Sequence, residues 1–340
     1  MAETVVGLMG LGRIGRNLVR ILQDRDDVRL GAIADPADHV ALEYLLRYDT
    51  ILGRFPAPVS LKDGHLYIAG RQIKMLSASE PGEAPWGELG VDVVIEATRR
   101  HRTRQELERH LQAGAERVIL CAPPLDPPDL TVVIGVNDHL LRPEHRIVSN
   151  ASVTAHAAAP ILAILHRAFG IERACLSAVH AYSSQLRLAD VPAEDMRTGR
   201  AAAENIIPQP THVADMLMQL IPELQGRINA MALNVPVPNG SVADLVCWHE
   251  RPVTVEAVNE VVRTAAGDPD WQGIVAFEDG PIVSGDIRLS PYSATFDSLA
   301  TMTIGEKVSK TLSWFDNGWG YAQRAVDLIR RFAELERRAA

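Results

Sequence analysis

Apolar and polar positions along the first part of the chain alternate between two signatures. Predominantly apolar runs of strand length, Val5 to Met9, Val28 to Ala34, Val91 to Thr98 and Arg117 to Cys121, are separated by stretches where apolar residues recur at helical spacing, as in Ile14, Leu18, Ile21 and Leu22. Runs with so few polar positions suit strands buried on both faces, so the alternation predicts a parallel, doubly wound α/β sheet. A helix is predicted over residues 103–113, and Thr131 to Asn137 and Arg146 to Val148 are expected to complete the sheet.

The stretch Ser149-Asn150-Ala151-Ser152-Val153-Thr154-Ala155-His156 ends one apolar run and begins a helical one. Ser152 is placed as the N-cap, since Val153, Ala157, Ile161, Ile164, Leu165 and Ala168 follow at helical spacing. Residue 153 then lies in a first turn, where unpaired N–H groups and the positive end of the helix dipole favour an anion or a thiolate. Beyond it, the runs Arg173 to Val179, Ile228 to Val235 and Val242 to Trp248 come in quicker succession with Gly and Pro between them. These predict a second, α+β domain whose sheet is mainly antiparallel. The chain closes on an amphipathic helix. The expected division is residues 1–150 with the C-terminal helix 317–340 in one domain, and 151–316 in the other.

Gly10-Leu11-Gly12-Arg13-Ile14-Gly15 sits between the first strand and the first helix. There the first glycine permits a tight turn, the second lets backbone approach a pyrophosphate, and the third lets helix and strand pack closely. Asp35, 20 residues after Gly15 at the end of the next strand, is placed to accept from a ribose hydroxyl and to repel a 2′-phosphate, which favours NAD over NADP. A purely structural glycine turn is the weaker reading in that context.

Composition narrows the partners. The 43 acidic and 34 basic residues give a formal charge of −9, which argues against nucleic acid, and RNA binding is a distant third reading. No apolar run of membrane-spanning length occurs, and Met1-Ala2-Glu3-Thr4 does not open a secretory signal, so a cytoplasmic protein is expected. Cys121, Cys175 and Cys247 form no CxxC pair, and neither a disulfide framework nor a metal site is expected. Cys175 and Cys247 lie in apolar strands and are expected to be inert core.

The stretch around Ser152 resembles the active-site segment of glyceraldehyde-3-phosphate dehydrogenases, Ser-Asn-Ala-Ser-Cys-Thr-Thr-Asn-Cys. The resemblance covers nearly the whole chain, through the glycine loop, Val179-His180-Ala181-Tyr182, Ala202 to Pro208 and Trp314-Phe315-Asp316-Asn317 in family order. It implies a Rossmann domain that binds NAD through Gly10, Gly12, Arg13, Ile14, Gly15, Asp35, Thr98, Cys121 and Asn317, with Pro192 keeping the NAD-type sequence. It implies His180 as the catalytic base, and Ser152, Thr154, Ser183, Thr211 and Asn234 at the substrate and phosphate positions. It also implies a homo-oligomer, a tetramer, or assembly with an active relative.

Departures from the family cluster at the chemistry. Val153 stands where the family has its nucleophilic cysteine, and Asn234 where it has an arginine for the substrate phosphate. His156 and His212 replace an asparagine and a glycine near the phosphate site, consistent either with a changed anionic or polar ligand or with packing. Ser79, Arg99 and His101 replace the family's adenine-side residues, so the pocket is either rebuilt or altered in preference. Cys121 is the one thiol placed to substitute as nucleophile. Two functions follow: an NAD-binding regulatory or assembly protein without thioester chemistry, or an NAD-dependent oxidoreductase for another alcohol or aldehyde with His180 as general base.

Overall fold

The computed structural model describes residues 3–339; Met1, Ala2 and Ala340, which belong to the expected nucleotide domain, lie outside the described residues. The chain divides into two compact units. One comprises residues 1–132, 139–152 and 322–340, and the other residues 133–138 and 153–321.

In the first unit the buried run β1 (Thr4–Met9) turns into α1 (Arg13–Gln23), β2 (Val28–Ala34) and α2 (His39–Arg47). The short pair β3 (Tyr48–Asp49) and β4 (Gly53–Arg54) precedes the edge strands β5 (Val59–Lys62), β6 (His65–Ile68) and β7 (Arg71–Leu76). Then come β8 (Val93–Glu96), α3 (Arg104–Gln112), β9 (Arg117–Leu120), β10 (Leu130–Thr131) and β11 (Ile147–Ser149). The nine-stranded sheet runs β10-β11-β9-β8-β1-β2-β7-β6-β5 and is parallel except at its β7-β6-β5 edge. The chain leaves β1 toward β2 and returns to place β8 on its other side. That reversal opens a crevice at the carboxyl ends of β1 and β8, the place where ligands bind in such sheets.

Two local expectations change. The hairpins β5–β7 were not singled out by the pattern; they turn at Asp63-Gly64 (φ 49° and 71°) and Ala69-Gly70 (φ 48° and 84°), left-handed pairs that match the twist of two-residue hairpins. The predicted strand 131–137 reduces to Leu130–Thr131. Past Val132, side chains displace the ladder: Asn137 Oδ1 accepts from Val133 N at 2.9 Å and Asp138 Oδ1 from Gly135 N at 2.8 Å.

The second unit begins with α4 (Val153–Phe169), buried almost all round. Next come β12 (Ile171–Ala181), β13 (Ile207–Gln209), α5 (Val213–Leu220), β14 (Ile228–Val235) and β15 (Ser241–His249). They are followed by α6 (Val255–Ala266), β16 (Val275–Glu278), β17 (Ala294–Ile304), β18 (Val308–Phe315) and the start of α7 (Trp319–Ala339). The sheet order is β13-β14-β12-β15-β18-β17-β16, antiparallel except for β12-β14 and β16-β17. Helices α4, α5 and α6 pack on it. Cys247 points inward and is buried, but Cys175 on alternating β12 is exposed, so the expectation of two core thiols holds for only one. No helix among the described residues is long and apolar enough to cross a membrane.

Asp316 locks the end of β18 to the start of α7. Its Oδ1 accepts from Gly318 N at 2.8 Å and Trp319 N at 2.6 Å, and its Oδ2 accepts from Asn239 Nδ2 at 2.7 Å and Leu289 N at 3.0 Å. Truncating it strands several donors in a buried place. Asp316→Ala is expected to destabilise the protein by about 3 kcal/mol or more in denaturant unfolding, well above a surface substitution.

Candidate functional site

The glycine loop of the first unit is shaped by close approach. A Cβ on Gly15 would fall 2.1 Å from the Gly10 carbonyl oxygen, so α1 and the loop pack without a side chain between them. Gly10 takes φ +96° against Thr98, whereas a Cβ on Gly12 would meet nothing within 4 Å. The space over Gly12 is therefore open at a helix start that has no side-chain cap and no acidic residue in its first turn. Such a start suits a pyrophosphate. Arg13 and Ile14 form that first turn. Asp35, just past β2, accepts from Leu11 N at 2.8 Å through Oδ2 and from Ala37 N at 2.9 Å through Oδ1, which fixes the carboxylate beside the loop with lone pairs to spare.

The substituted adenine-side residues divide. His101 is buried and its Nε2 lies 2.9 Å from the Ser79 carbonyl, so it ties two loops together. Arg99 is exposed at φ 62°. Cys121, at the end of β9, is buried, and burial followed by the charge of Glu96 pushes its thiol well above the ordinary range. A thiol held protonated is a poor nucleophile, which removes Cys121 as a substitute.

In the second unit the key side chains meet at the start of α4. Ala151, immediately before Ser152, adopts φ 52°, a left-handed conformation costly for a residue with a Cβ. Val153 is the first helical residue. Thr154 Oγ1 lies 3.1 Å from His180 Nε2, and His180 on β12 stands in register with Asn234 on β14. The Phe315 ring meets the imidazole edge-on at 5.9 Å between centroids. Burial lowers the His180 pKa to about 4, so the ring is neutral near pH 7.

Asn317 is held from three sides: Ser241 Oγ donates to its Oδ1 at 2.8 Å, its backbone N–H donates to Asn239 Oδ1 at 3.0 Å, and its Nδ2 donates to the Ala181 carbonyl at 3.4 Å. The sequence reading missed Asn239 and Ser241, because nothing local marks residues whose partners lie on other strands. Ser183 and Thr211 serve their own turns, accepting from Gln185 N and Val213 N. His156 is buried and packs edge-on against Tyr321 at 5.4 Å, which makes it a packing residue rather than a ligand group. His212 is exposed just before α5.

Comparison with known proteins accounts for this arrangement. Residues 4–104 match the glyceraldehyde 3-phosphate dehydrogenase NAD binding domain, and residues 152–317 its C-terminal domain. The chain is 43% identical over 329 residues to the Geobacillus stearothermophilus glyceraldehyde-3-phosphate dehydrogenase, covering 96% of this chain and 98% of that one. It is 44% identical to that of Streptomyces coelicolor over 95% and 96% of the two chains, and 43% identical to that of Mycobacterium leprae over 95% and 97%. The chain belongs to the glyceraldehyde-3-phosphate dehydrogenase family. NAD is its cofactor, and the open space over Gly12 and the uncapped start of α1 fit the family's NAD-binding domain.

Two measurements test this geometry. Calorimetric titration is expected to show tighter binding of NAD than of NADP, and Asp35→Asn should narrow the gap by about tenfold by removing a charge that repels a 2′-phosphate. Equal affinities in the unaltered protein would count against Asp35. For His180, the unfolded chain regains an ordinary pKa of about 6.5 and therefore binds a proton that the folded state refuses down to about 4. Folded stability is thus complete above about pH 6.5 and falls by about 3 kcal/mol toward pH 4. His180→Asn should flatten that part of the pH–stability curve.

Proposed function

We propose that this chain is an NAD-binding member of the family that does not oxidise an aldehyde through a thioester, and that it acts as a regulatory or assembly partner. One observation carries the reading: valine occupies the first turn of α4, and the neighbouring His180 imidazole is engaged by the Thr154 hydroxyl instead of a thiolate. A branched hydrocarbon cannot attack a carbonyl, and the buried thiol of Cys121 offers no replacement. Val153, Thr154, neutral His180 and Asn234 also form a set without a cation. A substrate phosphate would find no charge-assisted partner among them.

NAD, when bound, supplies a hydride acceptor. A second reading keeps that chemistry: the 3.1 Å contact between His180 Nε2 and a hydroxyl is the geometry in which an imidazole takes a proton from an alcohol. On that reading the chain oxidises a different alcohol, or an aldehyde as its hydrate, with His180 taking the hydroxyl proton as the hydride leaves for NAD, and NAD-dependent turnover of an uncharged alcohol, abolished by His180→Asn, would favour it over the first.

The sheet of the second unit supports assembly. Its inner face is covered by helices, while the outer face carries Cys175, Val179, Met231, Leu233, Val246 and Trp248 in alternation with buried residues. An apolar sheet face of this kind is suited to another subunit. We propose a homotetramer or a mixed assembly with an active relative, in the cytoplasm, where the three free thiols stay reduced.

The purified protein is expected to show no phosphate-dependent oxidation of glyceraldehyde 3-phosphate. Val153→Cys places a thiol at a helix start beside His180 and should react with iodoacetamide faster than free cysteine. Turnover should remain low in that single variant and rise about ten- to a hundredfold when Asn234→Arg is added, as expected for restoring a positioned ion pair. Activity of Val153→Cys that Asn234→Arg does not improve would contradict the phosphate-site reading, and turnover by the unaltered protein would contradict the proposal.

A further inference from the structure

Beneath the glycine loop of the first unit runs a chain of polar side chains to which the proposed function gives no part. Trp86, Glu96 and His110 are each fully buried, at 0% exposure. Trp86 Nε1 donates to His110 Nδ1 at 3.0 Å, His110 Nε2 lies 3.2 Å from Glu96 Oε2, and Glu96 Oε1 accepts from the Thr98 amide at 2.7 Å and from the Thr98 hydroxyl. Thr98 Oγ1 accepts in turn from Arg100 N at 3.1 Å. An indole N–H can only donate, so His110 Nδ1 must carry a lone pair and Nε2 the proton given to Glu96. The donors therefore converge on Glu96, whose carboxylate accepts from His110 on one oxygen and from Thr98 on the other.

The chain ends at the loop itself. A Cβ on Gly10 would lie 2.8 Å from Thr98 Cγ2 and 3.0 Å from Thr98 N, so Thr98 is the wall against which the first glycine of the loop is pressed. At the other end the Trp86 ring fills the space over Gly7 of β1, where a Cβ would lie 2.7 Å from it. An apolar set of the same volume would fill this space with less desolvation cost. What the polar chain adds is direction and distance: α3, the end of β8 and the glycine loop are held at one spacing.

We propose that Trp86, His110 and Glu96 are positioning residues for the cofactor, which hold Thr98 against Gly10 and so set the loop that receives the NAD pyrophosphate. The inference rests on the cofactor assignment and is independent of what stands at residue 153.

The test compares NAD dissociation constants, measured by calorimetry on the full-length protein, with melting temperatures. His110→Gln keeps one acceptor for the indole and one donor for the carboxylate, whereas His110→Leu keeps neither. Leu107→Ala, buried on the same helix, removes apolar contact and leaves the chain intact. NAD binding is expected to weaken at least tenfold in His110→Leu and to stay within about threefold in His110→Gln and in Leu107→Ala, even where the latter melts as low as His110→Leu. Should His110→Leu fail to fold, Trp86→Phe removes the indole N–H together with the five-membered ring and is expected to weaken NAD binding about threefold or more, beyond the change in Leu107→Ala at matched melting temperature. Unchanged affinity in the folded variant tested, or an equal loss in Leu107→Ala at matched melting temperature, overturns the inference. Absence of NAD binding in the unaltered protein overturns the cofactor assignment instead.

Discussion

The hydrogen bond between Thr154 Oγ1 and His180 Nε2 ties the first turn of a buried helix to the central strands of the second unit, and the chemistry open to that unit depends on it. The helix is placed by burial along nearly its whole length; the imidazole is placed by strand pairing with Asn234 and by an aromatic ring across its edge. Neither partner is free to move much. Removed from water, the imidazole stays neutral, and its available contact is with a hydroxyl. Val153, one residue before Thr154, is the first residue of that helix.

The first unit matches the family's NAD binding domain. Close backbone approach at Gly10 and Gly15 packs the loop against Thr98 and α1, while the open space at Gly12 and the carboxylate fixed beside the loop suit a dinucleotide. The match of this unit to the family's NAD binding domain, taken with the valine at the start of α4, is what the proposed role as a cofactor binder rests on. Its altered adenine edge remains ordered, because His101 is bonded to the Ser79 carbonyl.

Much of this was legible from residue order, and the exceptions have physical reasons. The glycine loop, Asp35 and the helix at Arg104–Gln112, with its Thr103 and Glu106 capping box, are set by contacts within a few residues and by the strand–helix alternation around them. Val132, Val133 and Ile134 looked like strand, yet only Val132 keeps a ladder bond, to the Ser149 carbonyl, while Val133 donates to the Asn137 side chain and accepts from the Val136 and Asn137 amides of a turn, a competition that hydrophobicity does not register. Cys175 was misplaced because an apolar stretch does not reveal that a sheet has an open face. His156 could not be assigned to packing from sequence because its ring partner, Tyr321, is far along the chain. The chain from Trp86 through His110 to Glu96 was invisible for the same reason, since Trp86 lies in the connection between β7 and β8 while His110 is on α3 and Glu96 ends β8.

The central claim is that this chain binds NAD without forming a covalent acyl intermediate. Mixing protein in excess with NAD and glyceraldehyde 3-phosphate in a single turnover, and following NADH absorbance together with the intact mass of the protein, tests it most directly. The account predicts NAD binding, no rapid formation of NADH and an unmodified mass. A burst of NADH stoichiometric with protein, accompanied by the mass of an attached acyl group, would contradict it.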